Sequence, residues 1–186
     1  MKGLIFVIFF FFVYTNARAQ HLSSCFVAIK ADGYGTQYAM NFCKDSSGGF
    51  DGCYRAVKAQ GHGAQSAMAI CKDAPFELSD CLKTYVAHGY GFDYSMGACK
   101  DVNLGFSSCV STVTAHGHGF SHAASVCRDV SPGFAGCVKI YTKAGYGFSY
   151  SMGNCKAASI DFTMCYKIMT NEGQGHEYSV NYCKGE

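Results

Sequence analysis

The chain lacks most of the local signatures that would assign it a chemistry. None of its twelve cysteines forms a Cys-x-x-Cys pair, so the close ligand spacing of a structural zinc site is missing. There is no Gly-x-Ser-x-Gly elbow, no phosphate-binding loop and no His-Glu-x-x-His, which removes the common routes to hydrolytic and phosphoryl-transfer catalysis. No Asn-x-Ser/Thr acceptor occurs, and proline is confined to positions 75 and 132. Charge is scarce and balanced, with fifteen Lys and Arg against thirteen Asp and Glu. Such a chain has neither the basic field that drives nucleic-acid binding nor the polybasic cluster that holds proteins on anionic lipid, so neither partner is expected. The longest apolar run, Leu4 to Tyr14, is eleven residues, against the roughly 20 that span a bilayer; no membrane insertion is expected.

That run reads as part of an export signal. Lys2 supplies a positive start, and Ala17-Arg18-Ala19 fits the small-x-small pattern of a cleavage site. A signal peptide is expected over 1–19, followed by a single repeat domain over 20–186, secreted or periplasmic. Loss of Lys2 and Arg18 would leave thirteen basic and thirteen acidic residues, a formally neutral product. Leu22-Ser23-Ser24-Cys25 also matches the box before a lipidated cysteine, but Cys25 is in phase with the pattern below.

What is abundant is periodic. Cysteines stand at 25, 43, 53, 71, 81, 99, 109, 127, 137, 155, 165 and 183. The intervals alternate between 18 and 10 without exception, so one unit of period 28 is written six times. A period of this size marks a stacked-repeat protein. Count each unit from its first cysteine as position 0. Glycines then recur at +8 and +10 in every copy, from Gly33/Gly35 to Gly173/Gly175, as a helix stop followed at once by a helix start. The first helix carries apolar residues at −3, 0 and +4, as in Phe50/Cys53/Val57, its start marked by Pro75 in one copy and Ser131-Pro132 in another. The second places +11, +14, +15 and +18 on one face, with only Ala or Ser at +14 and Lys or Arg at +19.

Positions 0 and +18 are equidistant from the middle of the turn, so in an antiparallel hairpin the two cysteines lie at the same height. The expected fold is therefore all-α, an α-solenoid of six helical hairpins with units starting near 25, 53, 81, 109, 137 and 165. Each is closed by one disulfide: Cys25-Cys43, Cys53-Cys71, Cys81-Cys99, Cys109-Cys127, Cys137-Cys155 and Cys165-Cys183. Twelve paired cysteines call for an oxidising compartment. A second apolar face at +13 and +17, as in Tyr38/Phe42, is expected to stack one hairpin on the next, with the polar side chains of position +12 in solvent.

With its Cys-flanked helix–Gly-turn–helix plan and small packing positions over residues 25 to 183, the chain resembles the Sel1-like cysteine-rich secreted repeat proteins. Its unit is shorter and its turn is Gly-x-Gly. The resemblance implies a protein that binds or interacts, with no partner specified.

Candidate binding residues are the hairpin tips at +9, namely Tyr34, His62, Tyr90, His118, Tyr146 and Gln174. A second row at +13 reads Tyr38, Ser66, Tyr94, His122, Tyr150 and Tyr178. Tyr and His offer large rigid contact area with a polar end, and six near-equivalent surfaces suit an extended protein or glycan better than one reaction centre. No enzymatic activity is expected. The unit containing His116, His118 and His122, with His88 from the preceding copy, could instead bind zinc or copper, or tune a binding surface near pH 6. The bland alternatives are that these imidazoles replace aromatics in the repeat, and that the whole chain is a structural, protease-resistant extracellular or envelope component. Asp45, Asp73, Asp101 and Asp129 read as solvated loop residues.

Overall fold

The computed structural model of the protein describes residues 21–184; the signal peptide read over 1–19 lies outside them. Among the described residues there are twelve helices and no strand. They form six antiparallel pairs: α1 (21–31) with α2 (Thr36–Lys44), α3 (Phe50–Ala59) with α4 (Ala64–Cys71), and α5 (Leu78–Ala87) with α6 (Phe92–Cys99). The series continues with α7 (Phe106–Ala115) and α8 (Phe120–Cys127), α9 (Phe134–Lys143) and α10 (Phe148–Cys155), and α11 (Phe162–Asn171) and α12 (His176–Lys184). Three hairpins make up a compact unit ending at Lys100, and three make up a second beginning at Asp101.

All six disulfides join positions 0 and +18 of one hairpin, with Cα atoms 5.6 to 5.8 Å apart, and no described cysteine is free. Cys25 is therefore engaged with Cys43, which leaves no thiol there for a lipid. Helices of eight to ten residues are marginal alone, and a cross-link closing a loop of this size contributes about 3 kcal/mol in the chain-entropy model. The glycines of position +8 all adopt positive φ, between 81° and 93°, the left-handed conformation that ends a helix with little strain only for glycine. Two residues on, Gly35, Gly63, Gly91, Gly119 and Gly147 are extended N-caps of the second helices.

Within a hairpin the two helices approach over the small +14 side chain, fully buried in all six copies: Ala39, Ala67, Ser95, Ala123, Ser151 and Ser179. Where it is serine, its hydroxyl donates to the carbonyl of the glycine at +10, as in Ser95 to Gly91 at 2.8 Å.

Between hairpins, the structure corrects the expected seam. Stacking is carried by the first helices, α3 on α5 in one unit and α7 on α9 and α9 on α11 in the other. Their buried stripe is −3, 0, +1 and +4: Phe50/Cys53/Tyr54/Val57, Phe106/Cys109/Val110/Val113 and Phe134/Cys137/Val138/Tyr141. The side chains of position +13 face outward, with Tyr38, Tyr94, Tyr150 and Tyr178 between 49% and 62% exposed. The reason is helical geometry: once +14 is drawn onto the first helix, +13 lies about 100° round the helix from it. The side chains of position +12 are exposed, as expected.

The linkers also pair. Ser47 and Ser131, both at −6, reach the next linker through their backbone N–H, to Lys72 and Lys156 carbonyls, and through their hydroxyls, to Ala74 and Ala158 carbonyls. Pro75 and Pro132 sit in these linkers, three and two residues before α5 and α9, rather than in a first helical turn. Backbones come so close that a Cβ on Gly133 would overlap the Ser159 carbonyl oxygen, and one on Gly49 would overlap that of Pro75.

Gly133→Ala is therefore expected to cost roughly 1–3 kcal/mol through overpacking. Gly97→Ala, on a helix face where a Cβ meets nothing within 4 Å, should gain up to about 1 kcal/mol from helix propensity. Urea unfolding of the two variants checks both; equal stabilities would show that linker contact does not constrain the stack.

Candidate functional site

The aromatic residues form two layers. The inner layer is the +9 ring, half-buried in Tyr34, His62, Tyr90, His118 and Tyr146; Gln174, in the last hairpin, is exposed. The tips are thus seams rather than free ends. Each +9 ring is backed by the +11 ring of the next hairpin where both lie in one unit and both are aromatic. His62 meets Phe92 at 5.6 Å between centroids, His118 meets Phe148 at 5.2 Å, and Tyr146 stacks on His176 at 5.5 Å. The sequence pattern puts +11 on the face toward its own hairpin, so this role between hairpins was not legible from periodicity.

The outer layer is the +13 ring, one helical turn from +9 and stacked on it. Tyr34–Tyr38, Tyr90–Tyr94 and Tyr146–Tyr150 lie 5.1 to 5.4 Å apart with planes within 20°. An exposed tyrosine is thereby held by a half-buried one. Tyr178 stacks instead on Tyr182 at 6.2 Å, and Ser66 leaves the second hairpin without an outer ring. The result is a set of stacked aromatic rings with one face on protein and much of the rest exposed. Burial, then the negative charge of Glu177, raises the pKa of Tyr146.

The histidines join the same system. His116 stacks on Phe148 at 4.1 Å. Its Nδ1 lies 2.8 Å from the Thr112 carbonyl, which can only accept, so the tautomer that fits carries the proton on Nδ1 and donates it. His118 contacts both Phe148 and His122. His88 belongs to the first unit and the other three to the second. Among the described residues no group of three or more His, Cys, Asp or Glu side chains is placed to hold a metal ion.

One polar cluster was not apparent from the repeat pattern. At the first seam Tyr54 and Lys58 of α3 both donate to Asp32, Lys58 Nζ at 2.8 Å. The hydrogen bonds from Lys58 and then Tyr54 hold the Asp32 carboxyl below the usual carboxylate range, while burial and the Asp32 charge push the Tyr54 hydroxyl up. Tyr54 stands at +1, where the next three hairpins carry Leu82, Val110 and Val138, and Ala64 stands at +11, where every later hairpin carries a ring.

Open grooves flank these elements. Two on the first-helix side adjoin α3 and share Asp51, Gly52 and Arg55. A third, about 430 Å³, lies between α8 and α10. Among the described residues no helix is long and apolar enough to cross a membrane.

The fold and its surface define a class, an all-helical repeat protein of disulfide-closed hairpins whose folded form belongs in an oxidising compartment. No family model, curated protein or solved structure matches the chain.

Because the Asp32 pKa is lowered on folding, its contribution is complete above the ordinary aspartate range near 4 and is lost as pH falls through the lowered value. The stability gap between the protein and Asp32→Asn, followed by urea unfolding against pH, is expected to close in that acid window. A gap that does not change with pH would refute the linkage.

Proposed function

We propose that the protein is an exported, non-enzymatic binding module that holds a protein or glycan on its outer aromatic rings. Tyr38, Tyr94, Tyr150 and Tyr178 are its anchors, the first three backed by +9 rings and the last by Tyr182. The observation that carries this reading is the exposure of large planar side chains that are already immobilised. Stacking on Tyr34, Tyr90 or Tyr146 removes much of the side-chain entropy that an exposed tyrosine would otherwise lose on binding. Tyrosine is also among the residues that dominate binding energy at interfaces. Export is supported by the leader-like Lys2 to Ala19 segment and by the disulfides.

The anchors shift relative to the tips read from sequence. Tyr34, Tyr90, His118 and Tyr146 act mainly by orienting the rings outside them. Repetition favours an extended partner, because several modest contacts on one rigid support add through effective concentration.

The test is binding to a glycan array and to immobilised extracellular-matrix proteins, with Tyr94→Ser and Tyr150→Ser compared one at a time. Each is expected to weaken binding by about 30-fold, the equivalent of a hot spot of about 2 kcal/mol, while the melting temperature stays within a few degrees. Undiminished binding in both variants, with the fold intact, would sink the aromatic rings as the binding surface.

A further inference from the structure

We infer that the groove between α8 and α10 is a binding site for a single neutral pyranose unit. This rests on the binding-module reading and narrows its ligand to a glycan. The groove has a volume of about 430 Å³, within the usual range for small-ligand sites and toward its lower end. Its base is apolar, formed by Val126, Val130, Phe134 and Met152. Around this base stand Ser125, Asp129, Ser149 and Lys156, with His122 at one side. Among the described residues the side chains of these four make no hydrogen bond or ion pair, so their polar atoms remain open to a ligand.

The chemistry of this rim selects for a polyol. Lys156 only donates, Asp129 only accepts, and the two serine hydroxyls do both, which matches a ring of hydroxyl groups that each donate and accept. The single negative and single positive side chain cancel, so the site has no net charge to attract an anionic ligand. The apolar base meets the C–H face of a pyranose. A peptide strand would need an unpaired backbone edge to augment, and the helices that form this groove present none.

The same positions in the first unit carry Ala69 in place of Ser125, Asp93 in place of Ser149 and Ser66 in place of His122. The hydroxyl pair is therefore particular to the second unit. Gly153 also lines the groove, and a Cβ there meets nothing within 4 Å, so a larger residue can fill the space without disturbing the scaffold.

The experiment is an NMR titration of the isotopically labelled full chain with N-acetylglucosamine, mannose and galactose, and with glucuronate as an anionic control. At least one neutral sugar is expected to shift the Ser125, Ser149, Gly153 and Lys156 amides saturably. Gly153→Leu should weaken that binding by about tenfold or more, and Gly97→Leu, its counterpart in the first unit, should leave it unchanged. No saturable shift with any of the three neutral sugars, equal binding by Gly153→Leu, or binding of glucuronate alone would each overturn the site. Sugar binding that persists in the groove while Tyr94→Ser and Tyr150→Ser leave glycan capture undiminished would reject the aromatic rings and keep the groove. Loss of capture in those variants without any monosaccharide shift would do the reverse.

Discussion

Everything in this protein depends on two cysteines meeting at equal height across a hairpin. Their sequence separation of 18 places them symmetrically about a glycine turn, and the small side chain at +14 lets the helices come close enough for the bond. Each hairpin then has a fixed interior before it touches a neighbour, which frees the first helices to carry the stack through −3, +1 and +4. The order of these constraints explains why surface positions vary so freely from copy to copy. Closure uses neither +12 nor +13, and stacking rests mainly on the first helices, so those positions can diverge without unfolding the array.

The aromatic layers show how exposed rings can be held in place on such a scaffold. An exposed ring on a lone short helix would sample several rotamers, but Tyr150 leans on Tyr146, and Tyr146 leans on His176 of the next hairpin. Order passes outward from the core by stacking alone. The histidines share that arrangement: His116 and His118 lie against Phe148, in the manner of the tyrosines elsewhere. The groove between α8 and α10, by contrast, arises where successive second helices do not pack on each other, a space left open at the outer edge of the seam.

Periodicity made the fold legible and the surface only partly so. The disulfide pairing, the left-handed glycines at +8 and the buried small side chains at +14 all follow from a single hairpin's symmetry, which one copy of the repeat contains in full. Which face joins one hairpin to the next is different, because Tyr94 at +13 and Leu82 at +1 are both apolar positions with helical spacing. Only the three-dimensional stack decides between them, and it buried Leu82 and exposed Tyr94. The tips at +9 were visible as candidates, but not their backing by Phe92, Phe148 and His176, since that contact joins one repeat to the next. Asp32, Tyr54 and Lys58 were equally hidden, being a departure from the repeat rather than an instance of it.

The placement of the cross-links has a bearing on how the chain withstands cleavage. Every hairpin tip lies inside a covalent ring closed by its own disulfide, so hydrolysis of a peptide bond there opens a ring and releases nothing. The segments between rings, such as 44–52 and 128–136, lie outside them, and the linkers within these segments are tied to neighbouring linkers at Ser47 and Ser131. The glycine turns, which would be the weak points of an ordinary helical array, are here the places where a cut has the least consequence, and the molecule can be nicked once at every tip while remaining one covalent object.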